Sequence, residues 1–154
     1  MSNPPTLGFV LHEVARLLKR SFERKAKALG LTRSQWQTLV YLNVHEGIHQ
    51  GALADIQEIE SITLVRILDK LEARGLIERR RHPTDRRMWQ LYLHDAARPL
   101  ITEMQAIGNV TRAEALAGVS AADRDRLLKI LTVMKGNLAE ACAQPADEEE
   151  LDHA

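Results

Sequence analysis

The chain has 154 residues, 21 basic and 21 acidic, so its formal net charge is zero; 45% of it is hydrophobic and only 4% aromatic. This suits one globular domain, or a small domain with an appended oligomerisation region, whose core is built from Leu, Ile, Val and Ala and is therefore expected to be helical. The single cysteine, Cys142, excludes an intrachain disulfide, and neither a signal peptide nor an apolar run of membrane-spanning length is present, so a cytoplasmic setting is expected.

The neutrality is uneven. The last ten residues, "PADEEELDHA", hold five acids and no Lys or Arg, which leaves 21 basic against 16 acidic residues over 1–144. Residues 145–154 are expected to form a disordered acidic tail.

Leu7, Val10, Leu11, Val14, Leu17, Leu18 and Phe22 follow the i, i+3, i+4 spacing of an amphipathic helix. It should run to about Leu29 and end at Gly30, which suits a left-handed cap. Thr32 and Gln35 then form a capping box for a second helix through Trp36, Leu39, Val40 and Val44, stopping near Gly47. "QGALADIQE" reads as a short third helix. "SITLVRILDKLEARGLI" is a fourth, with Ser61 as its cap, a buried stripe of Leu64, Ile67, Leu68 and Leu71, and Gly75 just past its end.

After it the period falls from 3.6 to 2. Ile77–Arg81 and Met88–Leu93 alternate as two short strands around the tip "HPTDRR". Alternation sends Arg80 to the face opposite Arg79 and Arg81. Asp95 is then expected to cap a long helix through Ile101, Met104, Ile107 and Val110. Ser120 with Asp123 starts a last one, whose Leu127, Leu131, Met134 and Leu138 resemble the seam of a helix pair.

The terminal helices, 1–31 and 95–144, are expected to pack on each other and on a second copy of the chain; an intramolecular bundle is the competing reading. Between them, residues 32–94 have the order of a winged helix-turn-helix, in which the second helix of the pair enters the DNA major groove. The fold class is thus mainly α with one small β-hairpin.

Plotted at 100° per residue, the fourth helix gathers Ile62, Thr63, Arg66, Asp69 and Lys70 opposite its leucines. Arg66 can donate two hydrogen bonds to guanine, and Ile62 and Thr63 can touch bases or a thymine methyl. Lys70 is placed for phosphate, and Ser61 can offer the first amides of the helix to one. Arg86 and Arg87 at the hairpin tip can reach phosphates or a narrow minor groove, with Asp85 as the partner that fixes their direction. The ordinary alternatives are a solvated helix face and a charged loop.

The run "LDKLEARGLIERRRHPTDRR" resembles the signature of MarR-family transcription regulators, in which D-x-R marks the wing tip. "LTRSQWQTL", "LITEM" and "TRAEALAGVS" extend the likeness, most closely to the SlyA branch. The resemblance implies a homodimeric repressor, not an enzyme, whose terminal helices form the dimer and whose winged helices read the halves of a pseudo-palindromic operator. By motif position, Ser61, Thr63 and Arg66 would contact DNA from the recognition helix and Arg86 and Arg87 from the wing, with Asp85 their internal partner. Ile62 stands where many relatives have Pro, and His94 and Ala97 where Thr and Gly are common; the first departure bears on base preference.

The resemblance also implies release by a small aromatic acid or an acyl thioester such as a CoA ester. Trp36 offers an apolar plate and Arg16 a cation, although Trp36 also suits the core and Arg16 the polar face of the first helix. No cofactor is implied. "HEGIH", His45 to His49, matches the H-E-x-x-H zinc pattern, but Gly47 is expected to break the helix that would carry it. A winged-helix scaffold for protein partners, or a metal-responsive regulator, are the alternatives.

Overall fold

The computed structural model describes residues 3–145; most of the acidic tail, 146–154, lies outside them. Among the described residues there are six α-helices and one antiparallel hairpin, a mainly helical winged helix-turn-helix as expected. None of these helices is long and apolar enough to cross a membrane.

Helix α1 (Leu7–Ala26) is capped by the Thr6 hydroxyl, which accepts from the Phe9 N–H. Its last turn tightens to a 3-10 turn, Lys27–Leu29, before Gly30 closes it at φ 67°. Helix α2 (Arg33–Val44) carries the full capping box: Thr32 Oγ1 accepts from the Gln35 N–H, and Gln35 Oε1 from the Thr32 N–H. Helices α3 (Gln50–Gln57) and α4 (Ser61–Ala73) follow, then β1 (Ile77–Arg81) and β2 (Trp89–Leu93), paired from Ile77↔Leu93 to Arg81↔Trp89. Met88, expected in the second strand, instead closes the hairpin tip by donating to the Asp85 carbonyl.

The end of α4 shows how the sequence fixes the wing. Gly75 sits at φ 71°, its N–H bonds the Glu72 carbonyl, and the Leu76 N–H bonds that of Leu71. This double closure satisfies the last carbonyls of the helix and drops Leu76 and Ile77 into the core, which starts β1 in one register. Leu39 and Leu42 of α2, Leu53 of α3, Leu64, Leu68 and Leu71 of α4, and Ile77 and Leu91 of the hairpin are all fully buried.

Helix α5 (Ala97–Ala115) adds Ala97, Ile101 and Met104 to that core. Asp95 does not cap it as expected. The chain makes a backbone-closed turn instead, in which the carbonyls of His94 and Asp95 accept from the N–H groups of Ala97 and Arg98. Against α1, helix α5 makes a polar clasp: Lys25 Nζ lies 2.9 Å from Glu114 and 2.7 Å from Ser21. Lys25 holds the Glu114 carboxyl below its ordinary pKa, chiefly through that hydrogen bond.

The chain divides into two compact units after Ala115. In the second, Ser120 caps α6 (Ala121–Ala143) through the Asp123 N–H, as expected. Arg124 ties down the preceding turn by donating to the carbonyls of Leu116 and Val119. No residue of this 23-residue helix is buried, and Leu128, Val133 and Leu138 are each more than 60% exposed. Cys142 is exposed as well.

Candidate nucleic-acid interface

The leucine spacing of α4 makes it a helix with one sealed side, and sealing that side turns Ile62, Thr63, Arg66, Asp69 and Lys70 outward. Ser61 is not the cap. Glu58 ends α3 in the left-handed region (φ 53°), Ile59 bonds back to the Ala54 carbonyl, and Glu60 is the extended cap residue, so the helix starts one residue earlier, with Ser61 inside its first turn. The Glu60 side chain makes no capping bond. The first amides of α4 therefore lack a side-chain acceptor, an arrangement a phosphate oxygen can complete.

Arg66 and Lys70, one turn apart, make no ion pair among the described residues. Asp69 does: Arg79 of β1 donates to its carboxylate at 2.7 Å and to the Val65 carbonyl at 3.2 Å. This neutralises Asp69 on the outward side of α4 and fastens the wing to that helix. Arg79 is thus a structural bracket.

The other hairpin arginines divide as alternation requires. Arg80 lies over the Tyr92 ring at 4.0 Å and pairs with Glu78, on the face opposite Arg79. Its guanidinium lowers the Glu78 carboxyl pKa and its own is raised in return, both mainly through their hydrogen bond. Arg81 lies over the Trp89 ring at 5.0 Å. Cation–π contacts of this kind hold a guanidinium along the sheet surface.

At the tip, Asp85 accepts from the Arg87 backbone N–H at 3.1 Å and from its Nε at 3.3 Å, while the Arg87 side chain stays 92% exposed. Asp85 therefore aims Arg87 alone. Arg86, expected to share this partner, is exposed and unheld among the described residues. His82 Nδ1 accepts from the N–H groups of Thr84 and Asp85. Nothing in the spacing singled out His82, although a His-Pro pair opening a turn is a usable signal.

"HEGIH" forms a brace. His45 ends α2, His49 Nδ1 caps α3 by accepting from the Ala52 N–H, and Gly47 between them takes φ 86°. Glu46 accepts from the Leu93 N–H and pairs with Arg98. The Gly47 N–H donates to the Leu91 carbonyl and the Leu91 N–H to that of Ile48, so the loop is bridged to the hairpin at His49↔Gln90. No group of three or more His, Cys, Asp or Glu able to hold a metal exists among the described residues.

A cleft of about 360 Å³ opens between α1, α2 and α5, walled by Phe22, Trp36, Val40, Ile101 and Met104. Trp36 is both core and wall, with its ring 4.5 Å from that of Phe22. Arg16 is not at the cleft; it is paired with Glu13 on the exposed side of α1. The cation at the rim is Arg112, which bonds Asn109 on the same helix. Periodicity gave the side of α1 that carries Arg16 but not how that side is turned toward α5.

The model of the MarR family matches residues 29–88, from the end of the first helical segment through the wing tip. Over that stretch the chain is similar to the MarR family. A crystallised transcriptional regulator is 29% identical, with a TM-score of 0.77 over 88% of this chain and 99% of that one. A MarR-family regulator from Silicibacter pomeroyi is 25% identical, with a TM-score of 0.73 over 84% and 88%. The transcriptional regulator SlyA, at 24% identity and a TM-score of 0.72 over 85% and 92%, is alike in fold. The chain thus has the winged-helix fold of these transcriptional regulators.

Proposed function

We propose that this chain is a cytoplasmic DNA-binding repressor that reads a pseudo-palindromic operator as a homodimer. One observation carries the reading: the outward side of α4 presents Ile62, Thr63, Arg66 and Lys70 on the same winged helix as an Arg87 aimed by Asp85. Arg66 reads guanine in the major groove, Ile62 and Thr63 meet bases beside it, and Lys70 and the amides of Ser61 bind phosphates. Arg87 and Arg86 reach the backbone or the minor groove from the wing. Support for the dimer comes from the bare apolar residues of α1 (Leu7, Phe9, Val10, Val14) and of α6, each of which a second copy would cover.

The cleft supports ligand release. Trp36 and Phe22 would stack a small aromatic acid and Arg112 would pair its carboxylate, while an acyl thioester would lay its chain along Val40 and Met104. The quoted motifs support a SlyA-like placement within the family.

Selection of bound duplexes from random DNA tests the reading. Two half-sites about one helical turn apart are expected, with affinity falling steeply as salt rises. Enrichment of no sequence, with no salt-dependent binding to any duplex, would sink it in favour of a scaffold for protein partners.

A further inference from the structure

The tip of the wing is built around one histidine ring. Pro83 follows His82, which keeps His82 extended and removes the first backbone donor of the turn. The next two donors, the N–H groups of Thr84 and Asp85, point back at His82 Nδ1 from 3.2 and 3.1 Å, and Thr84 Oγ1 lies 3.1 Å from it. A nitrogen that accepts from backbone N–H groups must offer its lone pair, so the neutral ring carries its proton on Nε2. Asp85, held by its own N–H, in turn holds the N–H and Nε of Arg87. The His82 N–H to the Met88 carbonyl and the Met88 N–H to that of Asp85 close the loop.

The two side chains thus act in series: His82 places Asp85, and Asp85 places Arg87. We propose that His82 is a positioning residue for DNA binding, and that protonating its ring releases the wing tip and with it the direction of Arg87. This rests on the DNA-binding reading above. An imidazolium has no lone pair, so it would leave the Thr84 and Asp85 amides without their acceptor and keep only Thr84 Oγ1 as a partner. An Asn, Asp or Ser cap in the same place would not lose its acceptor near neutrality; histidine is the side chain that ordinarily changes charge between pH 5 and 8. The charged neighbours in the hairpin are Arg81, which lies over Trp89, and Asp85, Arg86 and Arg87 of the tip; facing residues Met88 to Leu93 of the second strand carry no charge.

The test compares the wild type with His82→Asn and His82→Ala on the selected operator from pH 8 to pH 5.5. Asn offers Oδ1 at the same bond distance from the backbone as Nδ1, and it does not titrate. At pH 8 the Asn variant should bind within about twofold of wild type and the Ala variant roughly tenfold more weakly. On acidification, the wild type should lose about tenfold relative to the Asn variant. Equal binding by all three at pH 8 would overturn the proposal. So would parallel pH profiles for wild type and Asn, or tighter wild-type binding in acid, which would mark the imidazolium as a phosphate ligand.

Nitrogen-15 spectra of the free protein give a readout independent of DNA. They should show the Nε2–H tautomer, with the Thr84 and Asp85 amides moving together with the ring titration. Static amides would overturn the proposal. Absence of binding to any duplex at any pH would instead remove the DNA reading, leaving the spectra to decide the role of His82.

Discussion

Helices α4 and α6 both leave residues uncovered, and what they leave uncovered differs in kind. In α4 the apolar side is sealed by Leu64, Leu68 and Leu71, and the bare side is polar and cationic; in α6 nothing is sealed, and the bare residues include Leu128, Ile130, Val133 and Leu138. An exposed side bearing Arg and Lys calls for an anionic partner, whereas one bearing Leu and Val calls for another apolar surface. The difference teaches that the partner of each helix is encoded in the chemistry of what folding leaves out. It also separates two kinds of mutation, those that unfold the winged helix and those that merely isolate it.

The largest effect should come from breaking the sealed side. Leu68→Ala should destabilise the protein by about 2–5 kcal/mol in thermal or urea unfolding, because the surrounding leucines cannot fill the space. A loss under about 1 kcal/mol would mean that the α4 core is looser than its burial implies. Next, Leu127→Glu with Val133→Glu should weaken self-association by roughly 2 kcal/mol or more in sedimentation equilibrium. Amide protection of Leu39, Leu53 and Leu68 should survive it; an unchanged sedimentation profile would refute the claim that α6 meets a second copy.

On the bare side of α4, Arg66→Ala should leave the melting temperature alone and narrow the gap between operator and random DNA by about 1–3 kcal/mol. Arg87→Ala should weaken binding on all duplexes and reduce the salt slope by about one. If the two substitutions act alike, the division between reading by the helix and anchoring by the wing is wrong.

The smallest effect belongs to the α1–α5 clasp. The pKa of Glu114 is lowered in the folded protein, so its contribution is present above the ordinary carboxylate pKa and lost as pH falls through the lowered value. Glu114→Gln should therefore lower the melting temperature slightly at pH 7 and not at pH 3, and a difference persisting at pH 3 would point to packing instead.

Much of this is legible in the sequence alone. The stripe of α4, the Gly75 closure, the capping box at Thr32 and the alternation of the arginines are local patterns, and local patterns determine local structure. What escaped depends on which element faces which. The bracket from Arg79 to Asp69 joins a strand to a helix, Glu46 reaches Leu93 and Arg98 across the fold, and the exchange of Arg16 for Arg112 at the cleft follows from how α1 turns against α5. Ser61 lies inside the helix, not at its cap, because Glu58 ends α3 in the left-handed region, a conformation rarely taken by residues other than glycine, and Glu60 becomes the cap residue. His82 carries no periodic signal, because its role as acceptor is set by the turn that folds the Thr84 and Asp85 N–H groups back onto its ring.

The five-residue segment from His45 to His49 carries a consequence for how such a chain can change its length. A surface loop between two helices ordinarily tolerates insertions. This one is held at both ends by histidines that terminate helices, and in its middle by Gly47 and Ile48 bonded to Leu91. A side chain at Gly47 would lie 3.5 Å from the Tyr92 hydroxyl and would have to adopt φ 86°. One added residue would shift the strand bridge out of register and carry the end of α2 away from the start of α3. Lineages descended from this chain should therefore keep the length of that loop.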